Sequence, residues 1–144
     1  MDVFVFDPVV HTLVPDMPAA QHRIALAAGL LGFTGVVLGA LGAHFLKADL
    51  VARGTLDVWN TALLFHLVHS VALVALTGWQ SAGLPTRWIA RCWTTGIILF
   101  SGSLYWLALG GPKFLGPVTP LGGLALMVGW LLVVWTAVRR SPQA

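Results

Sequence analysis

The chain has 144 residues, 58% of them hydrophobic and only 9% charged, with a formal net charge of +3. Soluble domains carry charge on about a quarter of their residues, so this composition excludes an ordinary soluble domain and indicates a membrane protein. The basic residues stand singly or in pairs at the ends of apolar runs, the placement that sets membrane topology, which argues against a nucleic-acid partner.

Residues 1–22 carry Asp2, Asp7 and Asp16 and no basic residue, so they lack the positive start of a secretory signal peptide and are expected to be retained. Pro8, Pro15 and Pro18 forbid a continuous helix here. Two readings stand: a disordered tail, or an extended arm through Val3-Phe4-Val5-Phe6 that docks on a neighbouring subunit.

From Ile24 to Ala43 there are twenty residues without a charge, about 30 Å of helix, the thickness of a bilayer core. This is the first expected span, 24–43. Gly29, Gly32, Gly35, Gly39 and Gly42 recur every three or four residues, so they form a stripe on which another helix can approach closely. Residues 45–57 read as a short amphipathic connection. The second expected span is 58–79, interrupted by Asn60, His66 and His69; Ser81, Gly83 and Pro85 make a turn. The third is 92–110, a Gly/Pro-rich loop covers 110–120, and the fourth is 118–138, leaving 141–144 as a tail. Thr119 is expected to cap that last helix, with Pro120 at its first position.

The expected fold is therefore all-α, an integral membrane four-helix bundle running up-down-up-down as one domain over 23–140. Four spans put both termini on one side, with Arg23, Arg87, Arg91, Arg139 and Arg140 against Lys47, Arg53 and Lys113 on the other. The excess predicts cytoplasmic termini. Trp79, Trp88, Trp93 and Trp135 read as an aromatic belt on the same side.

Three segments together resemble an uncharacterised small membrane-protein family, domain of unknown function 423, related to transmembrane protein 256. They are Leu38-Gly39-Ala40-Leu41-Gly42-Ala43-His44, then Trp59-Asn60-Thr61-Ala62 with His69 ten residues after Trp59, and then Phe100 to Gly123 continuing to Gly129-Trp130. Phe45 departs from the pattern, which usually has a small residue after the histidine. The resemblance implies a bacterial plasma (inner) membrane protein of four helices, with no established activity.

Counting residues from the Arg-rich end places His69, Ser101, Gly35 and Gly129 near mid-membrane. A polar group facing lipid there costs several kcal/mol, so His69 and Ser101 are expected to face inward as a pair. His44, Asn60, Ser103, Tyr105 and Thr119 form a second polar layer toward the other face, lining a vestibule or simply bonding and capping helix ends. Gly32, Gly35, Gly39, Gly42, Gly102 and Gly129 are the expected packing positions.

The lone cysteine, Cys92, makes no internal disulfide, and no Cys/His array suggests zinc. His66 and His69 are three apart on one helix and cannot be opposite ligands of one haem, so neither a metal nor another cofactor is expected. No span contains a carboxylate, which excludes the small proton-coupled drug exporters. No nucleophile–base–orienter set can be assembled, so enzymatic activity is not expected. The expectation is a non-enzymatic accessory or scaffold protein, surrounded by lipid, packing with itself or a larger membrane complex. The alternative is a small channel or carrier using His69 and Ser101.

Overall fold

The computed structural model describes residues 18–81, 84 and 86–139. Residues 1–17 of the arm expected over 1–22, most of the turn at 82–85, Arg140 and the tail 141–144 lie outside the described residues.

Apolar sequence becomes helix almost throughout. The elements are α1 (Ala19–Ala43), α2 (Lys47–Ala52), α3 (Leu56–Ser81), α4 (Arg87–Gly96), a π-helical turn (Ile97–Ser101), α5 (Gly102–Ala108), a 3₁₀ turn (Lys113–Leu115) and α6 (Val118–Arg139). Helix α1 begins at Ala19 rather than Ile24, because Pro18 sits at its N-cap and Ala19-Ala20-Gln21 are good helix formers. Residues 19–22 are thus helix, not arm. The stretches Ala19–Ala43, Leu56–Gln80 and Lys113–Arg139 are each long and apolar enough to cross a membrane. This is an all-α membrane protein.

The expected third span is the irregular one. From Arg87 to Ala108 the chain stays helical, but the π turn interrupts its α-geometry, and the backbone keeps right-handed helical angles through both junctions. A π turn carries an extra residue and re-aims every side chain beyond it. Positions read on an ideal helix are therefore out of phase past residue 101.

Glycine contacts give the direction of each rod. A Cβ added at Gly35 would meet Leu67, at Gly39 Leu63 and at Gly42 Trp59, so α1 and α3 run antiparallel. Likewise Gly129 faces Trp93, Gly96 faces Leu126 and Gly122 lies on the backbone of Leu99 and Phe100, making α6 antiparallel to the α4–α5 rod. The rods alternate up and down as expected. Yet α1 packs chiefly on α3, and α6 chiefly on the α4–α5 rod, without substantial contact between α1 and α6. The bundle is open on that side.

Two apolar clusters hold the rods together. One joins Ile24, Ala28, Leu73, Leu76, Ile89, Trp93, Ile97 and Leu126 toward the terminal end; the other joins Leu50, Trp59, Ala62, Tyr105 and Ala108 toward the opposite end. Leu50, fully buried, pins the short α2 beneath the second cluster. Gly54 (φ +66°) then turns the chain into α3, and Thr55 Oγ1 donates to the Ala108 carbonyl at 2.8 Å, capping the C-terminus of α5. Gly110 (φ +87°) ends that helix, with the Gly111 N–H returning to the Trp106 carbonyl at 2.9 Å. Thr55→Val is expected to cost about 1 kcal/mol by removing this cap, read as a lowered thermal midpoint in detergent.

Candidate functional site

The mid-membrane polar groups gather on α3, whose side chains face both neighbouring rods. His69 is 4% exposed and makes two hydrogen bonds. Its Nδ1 lies 2.8 Å from the Phe65 carbonyl, which only accepts, so Nδ1 carries the proton. Its Nε2 then accepts from the Trp130 indole N–H of α6 at 3.1 Å. The two bonds fix one neutral tautomer. Trp93 and Trp130, with ring centroids 4.8 Å apart, each present a ring edge-on to the imidazole at 6.1 Å.

The expected His69–Ser101 pair is not made. Ser101 is fully buried at the end of the π turn, but its Oγ has no hydrogen-bond partner. Trp93 and Trp130 fill the space that His69 faces, and the indole N–H supplies the donor assigned to the serine. Trp93 is correspondingly 3% exposed, inside the bundle rather than in an interfacial belt, whereas Trp79, Trp88 and Trp135 are exposed.

His66, one turn away, is turned toward α1 and α5. Its Nδ1 lies 3.4 Å from Tyr105 Oη, and Tyr105 stacks obliquely on Trp59 at 4.7 Å. Trp59 in turn fills the space left by the absent side chain of Gly42. The Trp59–Tyr105–His66 group thus ties α1, α3 and α5 together, as Trp93–His69–Trp130 ties α3, α4 and α6.

The expected outer polar layer divides. Ser103 and Thr119 bond each other at 2.7 Å, joining α5 to α6. Thr119 lies inside α6, which begins at Val118, so its hydroxyl serves that bond rather than a cap. Tyr105 belongs with His66. His44 and Asn60 are exposed and do not line a common vestibule with these groups. The packing glycines divide too: Gly35, Gly39, Gly42 and Gly129 meet neighbours, while Gly32 and Gly102, like Gly29, have nothing within 4 Å.

Sequence reasoning omitted His66, Trp93 and Trp130 from the site, and Gly96 and Gly122 from the packing positions. Gly122 and Gly129 are seven apart, hence on one face of α6, a signal available in the sequence. The indole donor was not legible, because Trp130 reads as lipid-facing until α6 is docked.

Among the described residues, no three His, Cys, Asp or Glu side chains converge to hold a metal ion. Neither of the two described cavities is lined by His66, His69, Ser101 or Tyr105.

Residues 38–123 match the family described as Protein of unknown function (DUF423). The chain belongs to this family. The match includes both histidines, the π turn and the Ser103–Thr119 bridge, and stops short of Trp130. UPF0382 membrane protein YwdK of Bacillus subtilis is 39% identical over 108 residues, covering 72% of this chain and 86% of the relative. A UPF0382 membrane protein of Haemophilus influenzae is 36% identical over 125 residues, 84% of this chain and 98% of its own length. UPF0382 membrane protein C1782.12c of Schizosaccharomyces pombe is 38% identical over 109 residues, 72% of this chain and 91% of its own. The family thus includes bacterial and fission-yeast membrane proteins. No solved structure matches the chain.

Proposed function

We propose that this protein is a non-enzymatic membrane scaffold or accessory subunit, packing through α1 against a second copy or a larger membrane complex. The observation that carries the reading is the free face of α1. A Cβ added at Gly29 or Gly32 would meet nothing within 4 Å, beside Phe33 and Val36 at 69% and 65% exposed, on a helix that α6 does not cover. In lipid, apolar exposure alone drives no association, but small residues that let backbones approach do. His66 and His69 of α3 bond to Tyr105 of α5 and Trp130 of α6 and act as internal ties.

In this reading the α4–α5 rod also crosses the membrane, as the third of four spans. The protein lies in a bacterial plasma membrane with both termini in the cytoplasm, supported by the five-to-three excess of basic residues on the terminal side. Extraction in lipid-preserving polymer should give particles containing more than one 15.3 kDa chain, or that chain with a partner. Gly32→Leu should reduce them to single chains.

The second reading, a channel or carrier, rests on the π turn and the unpartnered Ser101 hydroxyl, since π turns recur at functional sites. It predicts a solute or proton flux in proteoliposomes that His69→Ala abolishes. A monomeric protein with such a flux would replace the scaffold reading.

A further inference from the structure

At the terminal end of the bundle lies a cavity of about 500 Å³ that none of the mid-membrane chemistry uses. It lies between the N-terminal turns of α1 and α4 and the C-terminal end of α3. Arg23, Arg87 and Arg91 line it together with Gln80, Ile24, Ala27, Ala90, Thr94 and Thr95.

Three features of this cavity define what would fill it. First, its charge is all positive. The described carboxylates, Asp49 and Asp57, belong to the opposite end of the bundle, and Arg87 and Arg91 lean on the face of Trp88 rather than on an acid. Guanidinium groups are fork-shaped donors matched to phosphate oxygens. Second, part of its wall is apolar. Ile24 and Ala27 on α1 and Ala90 on α4 line the cavity beside the arginines, between helices that barely touch, with Thr94 and Thr95 further along α4. Third, Gln80 Oε1 is buried with no hydrogen-bond partner, an acceptor awaiting a donor.

We propose that this cavity binds the phosphate of an anionic phospholipid. The three arginines hold the phosphate oxygens, a headgroup hydroxyl donates to Gln80 Oε1, and an acyl chain runs along Ile24, Ala27 and Ala90. Inorganic phosphate could use the arginines and donate its own hydroxyl to Gln80, but it would leave the apolar wall uncovered. A glycerol-type headgroup satisfies all three features and carries the net negative charge that an ethanolamine or choline headgroup lacks.

The test is native mass spectrometry of the full chain released from nanodiscs containing equal phosphatidylglycerol, phosphatidylethanolamine and phosphatidylcholine. The wild type should retain phosphatidylglycerol in preference to the other two. Arg23→Gln/Arg87→Gln/Arg91→Gln should lower that retention about a hundredfold, at about fivefold for each charge near a membrane surface. Ala27→Trp, which fills the groove and leaves every arginine in place, should also lower it. Circular dichroism of both variants checks that they remain helical. Equal retention of the three lipids, or retention insensitive to the arginine substitutions, overturns the proposal. Displacement of the lipid by millimolar inorganic phosphate, with no effect of Ala27→Trp, overturns the lipid assignment in favour of a soluble phosphate. If the preference for phosphatidylglycerol emerges only after Asp2, Asp7 and Asp16 are changed to Asn, the N-terminal segment is the occupant and the proposal fails.

Discussion

Replacing Gly122 with alanine is expected to lower the thermal midpoint in detergent by about 10 °C, the effect of one methyl group forced against backbone. A Cβ there would run into the backbone nitrogen and Cα of Phe100, closer than real Cβ contacts come. Overpacking usually costs about 1–3 kcal/mol, and the upper end applies where the obstacle is backbone rather than a movable side chain. At about 3 °C for each kcal/mol in a chain of this size, that gives the stated shift. The π turn makes the contact so tight, because the widened backbone at Ile97–Ser101 bulges against α6. Gly102→Ala is the control. Nothing lies within 4 Å of that position, and alanine favours helix over glycine by about 0.5–1 kcal/mol, so its midpoint should hold or rise.

The second large effect is expected at Trp130. Trp130→Phe keeps an aromatic ring beside Trp93 but removes the N–H that His69 Nε2 accepts, leaving an acceptor unpaired in a low-dielectric interior. Such a group costs about 1–3 kcal/mol. His69→Phe removes the acceptor and leaves the Trp130 N–H unpaired, with a similar cost. If the bond is what matters, the double variant loses less than the sum of the single ones, by about 1 kcal/mol, the scale of interhelical bonds in membranes. Nitrogen chemical shifts of His69 give an independent readout. The wild type should show the proton on Nδ1, held by the Phe65 carbonyl, and Trp130→Phe should shift the Nε2 resonance.

These two positions also mark how far the sequence could be read. Charge-free runs located α1, α3 and α6 well, since lipid imposes helix on any apolar stretch that must satisfy its own backbone. The spacing of Gly35, Gly39 and Gly42 identified the α1 seam, because close approach needs small residues at helical period. Gly32 continues the same spacing but meets no part of this chain, and sequence spacing does not distinguish an internal seam from a free one. Depth counting placed His69 and Ser101 at similar heights but could not say which way they face. The π turn re-aimed the rod after Ser101, and tryptophan, long enough to reach across a turn, took the place of the serine. His44 and Asn60 failed for a related reason: height along a helix does not specify which side of it a residue occupies.

The scaffold reading turns on whether the free face of α1 is covered in the membrane. A cysteine at Gly32, in a chain whose own Cys92 is replaced by alanine, can be oxidised or cross-linked in intact membranes before any extraction. Val134, 59% exposed on α6, supplies a lipid-facing comparison position. A covalent adduct is expected at residue 32, twice the mass of the chain or the chain plus a partner, well above that at 134. Equal, background-level adducts at both positions, with the protein monomeric in its native lipid, would contradict it.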